Sequence, residues 1–337
     1  MKKVLSFVLA FAMLAALVCV PMSAADDGTF QLLSCDTLDG WTALGANCQA
    51  SLVTDEVKEG TGAIRYDFPN PTLGSPWVGY TKVEFLQPVD MSNFDSLLID
   101  VYIGGQDLFG VKDQYLAVNF AEAGKEDGFN VNHIGLGIST TDASTGTGWR
   151  TVTVPFTNDV AANNPSWDAI STLRIGYMSY NRERPEGAYF LFDNIRLAGR
   201  KDAEKADPIV VIKDQPVMVH DGESLLGFEG HYGAELSVSN EQKTQGENSI
   251  KMVNATLPED ERNPDLPAGQ INIKLSQPID TSNYNSFEFD MYITEEMTGS
   301  QGLHVTFGSG SEEGYASLHG LDNSQPGWKH FKLEIDA

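Results

Sequence analysis

Short segments with alternating apolar and polar positions follow one another along most of the chain. Leu97, Ile99 and Val101 occupy every second position of one such segment, a period of two that is typical of a β-strand with one buried face. Comparable segments occur at 63–68, 116–120, 150–155, 173–180 and 189–197, separated by clusters of Gly, Asn, Asp and Pro. Helical periodicity is nearly absent. The pattern predicts an all-β protein built as a two-sheet sandwich with long surface loops.

A long stretch of this pattern occurs twice. Residues 87–103 read QPVDMSNFDSLLIDVYI, and residues 277–293 read QPIDTSNYNSFEFDMYI. Further matches follow in the same order, namely 32–36 with 225–229, 60–64 with 246–250, and 148–150 with 327–329. The sequence therefore predicts two related β-sandwich modules in tandem.

The first residues have the pattern of a secretory signal peptide. Lys2 and Lys3 precede an apolar run at 4–20, and the small residues Ser23 and Ala25 follow it. The run is short for a membrane span and fits the apolar core of a signal peptide. We expect cleavage after Ala25, so that residues 1–25 are removed and the protein is secreted or held at the cell surface.

The repeat sets the expected module boundaries. We expect a first module at 26–199, a linker at 200–221 and a second module at 222–337. Within the linker, 200–205 is rich in charge, whereas the apolar run 209–212 is either linker or a first strand that docks on the second module. The second copy has no match to 167–197, so either the sequence is a fragment of a longer protein or the second module is incomplete, with an exposed edge that would promote association. We expect a fragment.

The charge of the chain restricts its partners. The sequence has 47 acidic and 22 basic residues and a net charge of −25. Such a surface repels phosphate backbones and anionic lipids, so nucleic acid is not an expected partner. The many carboxylates also offer the oxygen ligands that calcium prefers.

Two cysteines remain after the expected cleavage, Cys35 and Cys48. The turn signal Asp39-Gly40 lies between them, so two antiparallel strands could bring the sulfurs together as a disulfide in an oxidising environment. The alternative is two buried free thiols. We expect the pairing.

The motifs at 32–36, 60–64, 148–149 and the closing segment YFLFDNIRL at 189–197 together resemble galactose-binding-like jelly-roll modules, the carbohydrate-binding modules found beside bacterial glycoside hydrolases. The resemblance implies a structural calcium ion that ties the first strand to the last. The matching positions here are Asp36, the backbone carbonyls from Lys58 to Thr61, and Asp193. Calcium takes six to eight oxygen ligands, so such a site would hold distant strands together. The alternative is that both aspartates are ordinary turn or edge residues.

Neutral sugars stack on aromatic rings, while amides, carboxylates and Arg bind their hydroxyl groups. The candidate sugar-binding residues therefore lie beside two loops, at 69–76 and 181–188. They are Trp77, Tyr80, Tyr177, Tyr180, Arg182 and Arg184. Trp77 and Tyr80 are three positions apart, so in an extended strand they face opposite sides. The alternative for these aromatic residues is a place in the core.

No catalytic signature accompanies these residues. A glycosidase needs two carboxylates across the sugar, and no pattern singles out such a pair; the six His are scattered singly. We expect non-catalytic binding of a polysaccharide or oligosaccharide that targets an appended or partner glycoside hydrolase to its substrate. The alternatives are a glycoside hydrolase or polysaccharide lyase on a sandwich scaffold, and a cell-surface adhesion module that binds protein.

Overall fold

The computed structural model describes residues 6–10, 28–44, 49–67, 77–104, 114–125, 129–135, 148–156, 165–179, 189–254, 269–298, 303–308, 315–321 and 324–335. They form β-strands and two 3-10 turns, which confirms the predicted all-β class. No helix within these ranges is long and apolar enough to cross a bilayer. The chain divides into two compact units, one within 24–203 and 208–217, the other within 1–23, 204–207 and 218–337.

The first unit is a sandwich of two antiparallel sheets. The first strand of the chain, β1 (Ser6–Ala10), belongs to the other unit. The strands of the first unit are β2 (Phe30–Leu33), β3 (Trp41–Leu44), β4 (Gln49–Val53), β5 (Ala63–Asp67), β6 (Trp77–Val89), β7 (Ser96–Gly104), β8 (Gln114–Glu122), β9 (Phe129–Gly135), β10 (Gly148–Pro155), β11 (Ile170–Ser179) and β12 (Tyr189–Ala198). One sheet has the order β10-β7-β12-β5-β4, with β2 beside β12, and the other has the order β3-β6-β11-β8-β9.

The core of this unit comes from alternate positions of its strands. Leu97, Ile99 and Val101 are fully buried, as are Phe190 and Phe192 of β12. Burying a side chain of this size contributes about 1.5–3 kcal/mol. The period of two read from the sequence therefore identifies the buried face of β7 correctly.

The apolar run 209–212 packs on the first unit, not on the second. Ile212 forms a β-bridge with Phe85, and the backbone N–H of Leu86 donates to the carbonyl of Val211 at 2.8 Å. Strand β3 pairs with β6 only over 80–83, so the following part of β6 has an open edge that this run can join. The possibility that the run docks on the second module is thus wrong.

The second unit repeats part of this architecture. Its strands are β13 (Phe228–His231), β14 (Ala234–Ser239), β15 (Ser249–Asn254), β16 (Gln270–Ile273), β17 (Ser286–Ile293), β18 (Leu303–Gly308), β19 (Tyr315–Leu321) and β20 (Gly327–Glu334), with 3-10 turns at Thr281–Asn283 and Glu295–Met297. One sheet has the order β14-β15-β1-β17-β20, and two strand pairs, β13-β16 and β18-β19, stand apart from it.

Several strands of the second unit correspond to strands of the first. Trp328 lies opposite Tyr292 as Trp149 lies opposite Tyr102, so β20 and β17 correspond to β10 and β7. The place of β12 is held by β1. In the first unit, β11 lies between β6 and β8 within one sheet. The described residues of the second unit contain no strand in the matching place between β16 and β18, so the corresponding sheet consists of two separate pairs, β13-β16 and β18-β19.

Candidate functional site

One outer face of the first unit carries a cluster of polar side chains. In β6, Thr81 and Val83 are fully buried against the other sheet, so Tyr80 and Lys82 lie on the outside. Directly opposed residues of antiparallel strands share a face. Arg174 of β11 lies opposite Lys82.

The outward-facing polar residues continue onto a third strand. Asn119 of β8 lies opposite Arg174, so Lys82, Arg174 and Asn119 follow one another across β6, β11 and β8, with Tyr80 beside them. We call these four residues the polar cluster. Asn119 is 3% exposed, whereas Tyr80, Lys82 and Arg174 are partly exposed.

Contacts within the polar cluster orient its members. Burial raises the pKa of the Tyr80 phenol, while a hydrogen bond with Asn119 and the charge of Arg174 act in the opposite direction. The Lys82 ammonium forms an ion pair with Glu84. The cluster thus offers a phenol, a guanidinium, an amide and an ammonium group, which can donate to and accept from hydroxyl groups.

Small residues border the Tyr80 ring. Gly176 lies opposite Tyr80 on β11, and Ala117 lies opposite Gly176 on β8. Neither residue has a long side chain, and both are buried. The groups that a ligand can reach here are the partly exposed Tyr80 and Arg174, while the buried Asn119 binds Tyr80.

The candidate residues read from the sequence fall in different places. Tyr80 belongs to the polar cluster. Trp77 begins β6 opposite Met178, and Tyr177 lies in β11 opposite Leu116. The remaining candidates, Tyr180, Arg182 and Arg184, lie outside the described residues.

The sequence interpretation missed Lys82, Arg174 and Asn119. A signal for two of them was present, since Arg174 stands between Leu173 and Ile175, and Asn119 stands between two apolar residues of β8. A charged or amide residue at the outward position of an apolar strand indicates a surface with polar chemistry. That the two share a site follows from strand pairing.

The second unit has different residues at the matching place. Phe228 lies opposite Ile273 as Trp41 lies opposite Val83, so Asn272 and Gln270 stand where Lys82 and Tyr80 stand. Gln270 and Asn272 are hydrogen-bonded to each other. The second unit therefore has amide residues where the first has Tyr80 and Lys82.

Asp36 and Asp193 join three segments of the first unit. Asp36 Oδ1 accepts from the backbone N–H groups of Thr61 at 2.5 Å and Gly62 at 2.9 Å. Asp193 Oδ2 accepts from Lys58 at 2.8 Å and Glu59 at 3.0 Å. The loop thus presents amide N–H groups to both carboxylates, where the family resemblance implied carbonyl ligands. These hydrogen bonds by themselves tie the end of β2 and strand β12 to the loop.

The two carboxylates are poorly compensated. Burial raises the pKa of Asp193 from 3.8 to about 6, opposed by its backbone hydrogen bonds and increased by the nearby charge of Asp36. Asp36 Oδ2 is buried and has no hydrogen-bond partner among the described residues. Gly60 has a φ of +70°, and a Cβ there would lie 2.5 Å from Asp36 Oδ1, so glycine allows the loop to approach this closely.

A cation would compensate this charge. No group of three or more His, Cys, Asp or Glu side chains with metal-site spacing occurs in the described part of the chain. A calcium ion here would therefore be coordinated by Asp36 and Asp193, with its remaining oxygen ligands from backbone carbonyls or water. The orphaned Asp36 Oδ2 and the raised pKa of Asp193 fit such an ion.

Cys35 is a buried free thiol among the described residues, whereas Cys48 lies outside them, so the expected disulfide stays a prediction. Burial raises the pKa of Cys35 well above its usual value, and the carboxylates of Asp193 and Asp36 raise it further. The backbone N–H groups of Asn194 and Ile195 interact with the sulfur. The thiol therefore contacts the closing strand β12.

In the second unit a carboxylate also accepts from backbone N–H groups of a loop. The residue is Glu223, whereas the repeat suggested Glu229. Glu223 accepts from the backbone N–H groups of Glu247 at 2.9 Å and Asn248 at 3.0 Å. Glu229, which the repeat had matched to Asp36, has a 62% exposed side chain beside His231. The structural match is therefore 36–41 (DTLDGW) with 223–228 (ESLLGF), and both segments close the same turn at 3.0 Å.

Comparison with known proteins gives structural matches alone. No family model matches the sequence, and no curated protein does. The family 11 carbohydrate-binding module of the cellulosomal cellulase Lic26A-Cel5E of Clostridium thermocellum is similar over 52% of this chain and 96% of its own, at 16% identity and a TM-score of 0.31.

Two further matches are of the same kind. CBM27-1 of Caldicellulosiruptor saccharolyticus, solved in complex with mannohexaose, is similar over 51% of this chain and 97% of its own, at 17% identity and a TM-score of 0.35. The CBM22-1–CBM22-2 tandem domain of Paenibacillus barcinonensis Xyn10C is similar over 93% of this chain and 86% of its own, at 13% identity and a TM-score of 0.29. These are carbohydrate-binding modules, the class that the sequence resembles.

Proposed function

We propose that the first module binds a neutral polysaccharide or oligosaccharide at the polar cluster, without catalysis. The observation that carries this proposal is the arrangement of Tyr80 beside Gly176, with Arg174 and Asn119 on the neighbouring strands. An aromatic ring flanked by donors and acceptors is the arrangement that binds the apolar face and the hydroxyl groups of a sugar.

The charge of the molecule favours a neutral glycan. A net charge of −25 repels strongly anionic polymers at long range. The carboxylate next to the cluster, that of Glu84, is held in an ion pair with Lys82. A binding role fits this arrangement better than hydrolysis, which needs two carboxylates on either side of the sugar.

The calcium ion, the secreted location and the targeting role belong to the same proposal. A calcium ion on Asp36 and Asp193 would stabilise the closing strand of the binding module. The pattern at 1–25 supports secretion, and a module that binds polysaccharide in the medium would bring an appended or partner glycoside hydrolase to its substrate. Tethering of this kind raises the effective concentration of the enzyme.

Calorimetric titration of the chain with cellohexaose, xylohexaose and mannohexaose tests the proposal. We expect Tyr80→Ala or Arg174→Ala to weaken binding by about tenfold or more, because each removes one interaction of about 1–2 kcal/mol. Tyr102→Ala is the matched control, since Tyr102 lies on the outer face of the opposite sheet beside Trp149. Equal losses in all variants, or a folded chain that binds none of the sugars, would show that the polar cluster is not a sugar site.

A further inference from the structure

Two histidines of the second unit lie at directly opposed positions of one strand pair. Strands β18 (Leu303–Gly308) and β19 (Tyr315–Leu321) are antiparallel, and their register places His304 opposite His319. In the sequence the two residues stand apart, and only the pairing of the strands brings them to the same place. They belong neither to the polar cluster nor to the candidate calcium site, both of which are in the first unit.

The pairing is regular at the histidines. The register shift of this strand pair falls between Leu303 and His304. From His304 onwards each residue of β18 has one partner on β19, so that Val305 lies opposite Leu318 and Gly308 lies opposite Tyr315. A strand on the other side of β18 would leave this register unchanged, because it would pair with the opposite edge of β18.

The histidine pair lies on the outer face of these strands. Val305, the residue after His304, packs against the buried core cluster of the second unit. Successive residues of a strand face opposite sides, so His304 is on the outer face. Directly opposed residues share a face, so His319 is on the outer face too. Gly308 belongs to this face by the same alternation and is exposed, which indicates that solvent reaches it.

The spacing of opposed residues suits a shared metal ion. In an antiparallel pair the Cβ atoms of directly opposed residues are about 4.5–5.5 Å apart. An imidazole nitrogen binds zinc at about 2.0–2.1 Å, so two imidazoles carried by Cβ atoms this close can bind one ion together. Because the paired backbone fixes the separation, little of the geometry has to be created when the ion binds.

We propose that His304 and His319 form a binding site for a divalent transition-metal cation of the zinc, nickel and copper class. Imidazole nitrogen is a preferred ligand of these ions, whereas calcium and magnesium prefer oxygen ligands. Water can complete the coordination, as it does at zinc sites with an open position. The net charge of −25 attracts cations to the protein at long range.

An ion at this site joins β18 to β19 in addition to the backbone hydrogen bonds of the strand pair. Because it binds the paired strands and not the separated ones, it stabilises them. Binding requires neutral imidazoles, so it weakens as the pH falls through about 6.5, the ordinary pKa of histidine. This dependence on pH distinguishes the site from one made of carboxylates.

Calorimetric titration of the full chain with zinc chloride, without a polyhistidine tag, tests the site. We expect His304→Gln and His319→Gln each to weaken binding by more than about tenfold, since even groups that only support a metal ligand contribute about 10–100-fold to affinity. The loss in the double variant should be smaller than the product of the two single losses, because both residues hold the same ion. Calcium chloride should give no such difference between the variants.

The matched control is His133→Gln. His133 is also in a paired strand, but it lies opposite Ala117 and not opposite a second histidine. We expect this variant to bind zinc as the wild type does. An equal loss in His133→Gln would overturn the proposal, and so would folded His304→Gln and His319→Gln chains that bind zinc as tightly as the wild type.

A second measurement needs no variant and therefore holds even if a substitution prevents folding. Nickel is paramagnetic and broadens the NMR signals of nearby nuclei. In the wild type, nickel chloride should broaden the backbone amide signals of His304, His319 and their neighbours before those of β9, and lowering the pH to about 5 should reverse this, since the imidazoles are then protonated. Amide signals of β18 and β19 that stay sharp at equimolar nickel would overturn the proposal.

Discussion

Asp193 Oδ2 lies 2.8 Å from the backbone nitrogen of Lys58, a residue 135 positions earlier in the chain. The contact joins the central strand β12 to the loop that also binds Asp36. Asp193 is fully buried, so its carboxylate depends on these N–H groups, and not on water, for hydrogen bonds. The stability of the first module should therefore depend on this carboxylate in several measurable ways.

Replacing the carboxylate should destabilise the module. Asp193→Ala removes the charged acceptor of the Lys58 and Glu59 N–H groups, and we expect a loss of about 2 kcal/mol in the free energy of unfolding. Urea denaturation measures this loss. Asp39→Ala is the control, because Asp39 is exposed; a similar loss in both variants would mean that the contact adds no stability.

The raised pKa of Asp193 predicts a distinct pH dependence. Because its pKa is about 6 in the folded protein and 3.8 ordinarily, the folded state binds the proton more tightly than the unfolded state. Its contribution is therefore full below pH 4 and is lost as the pH rises to about 6, by about 3 kcal/mol. The difference in unfolding free energy between the wild type and Asp193→Asn, measured in chelator, should show this fall. A flat difference would contradict it.

Calcium should stabilise the first module if it binds Asp36 and Asp193. We expect addition of calcium to chelated protein to raise the melting temperature, since a ligand that binds the folded state alone stabilises it. Asp36→Asn and Asp193→Asn should each abolish most of this rise, because each removes a charged ligand. Magnesium at the same concentration is the control, and an equal melting temperature with calcium and with chelator would exclude the ion.

Alkylation tests whether Cys35 is a free thiol or part of a disulfide. As a buried free thiol with a pKa well above its usual value, it should resist iodoacetamide in the native protein and react on denaturation without reductant. Peptide mapping by mass spectrometry detects the label. A Cys35 that reacts in denaturant only after reduction would instead indicate the disulfide with Cys48.

The sequence alone indicated the strands and the duplication. Leu97, Ile99 and Val101 have a period of two because successive side chains of any extended backbone point to opposite faces, and that property is local. The repeated segments 87–103 and 277–293 likewise placed β7 and β17 in equivalent positions. Asp36 and Asp193 were singled out through a family resemblance, and the structure brings both to one loop.

Tertiary structure decided which residues meet. Lys82, Arg174 and Asn119 come from three strands, and their row depends on pairing partners and register, which no single strand specifies. The same holds for Glu223, which replaces Glu229 as the counterpart of Asp36. In the sequence, the run 209–212 and strand β1 are both short apolar segments. The run 209–212 joins an open edge of the first module, whereas β1 lies at the centre of a sheet of the second. Local alternation determines that a segment forms a strand, whereas long-range pairing determines where the strand lies and which surface chemistry it completes.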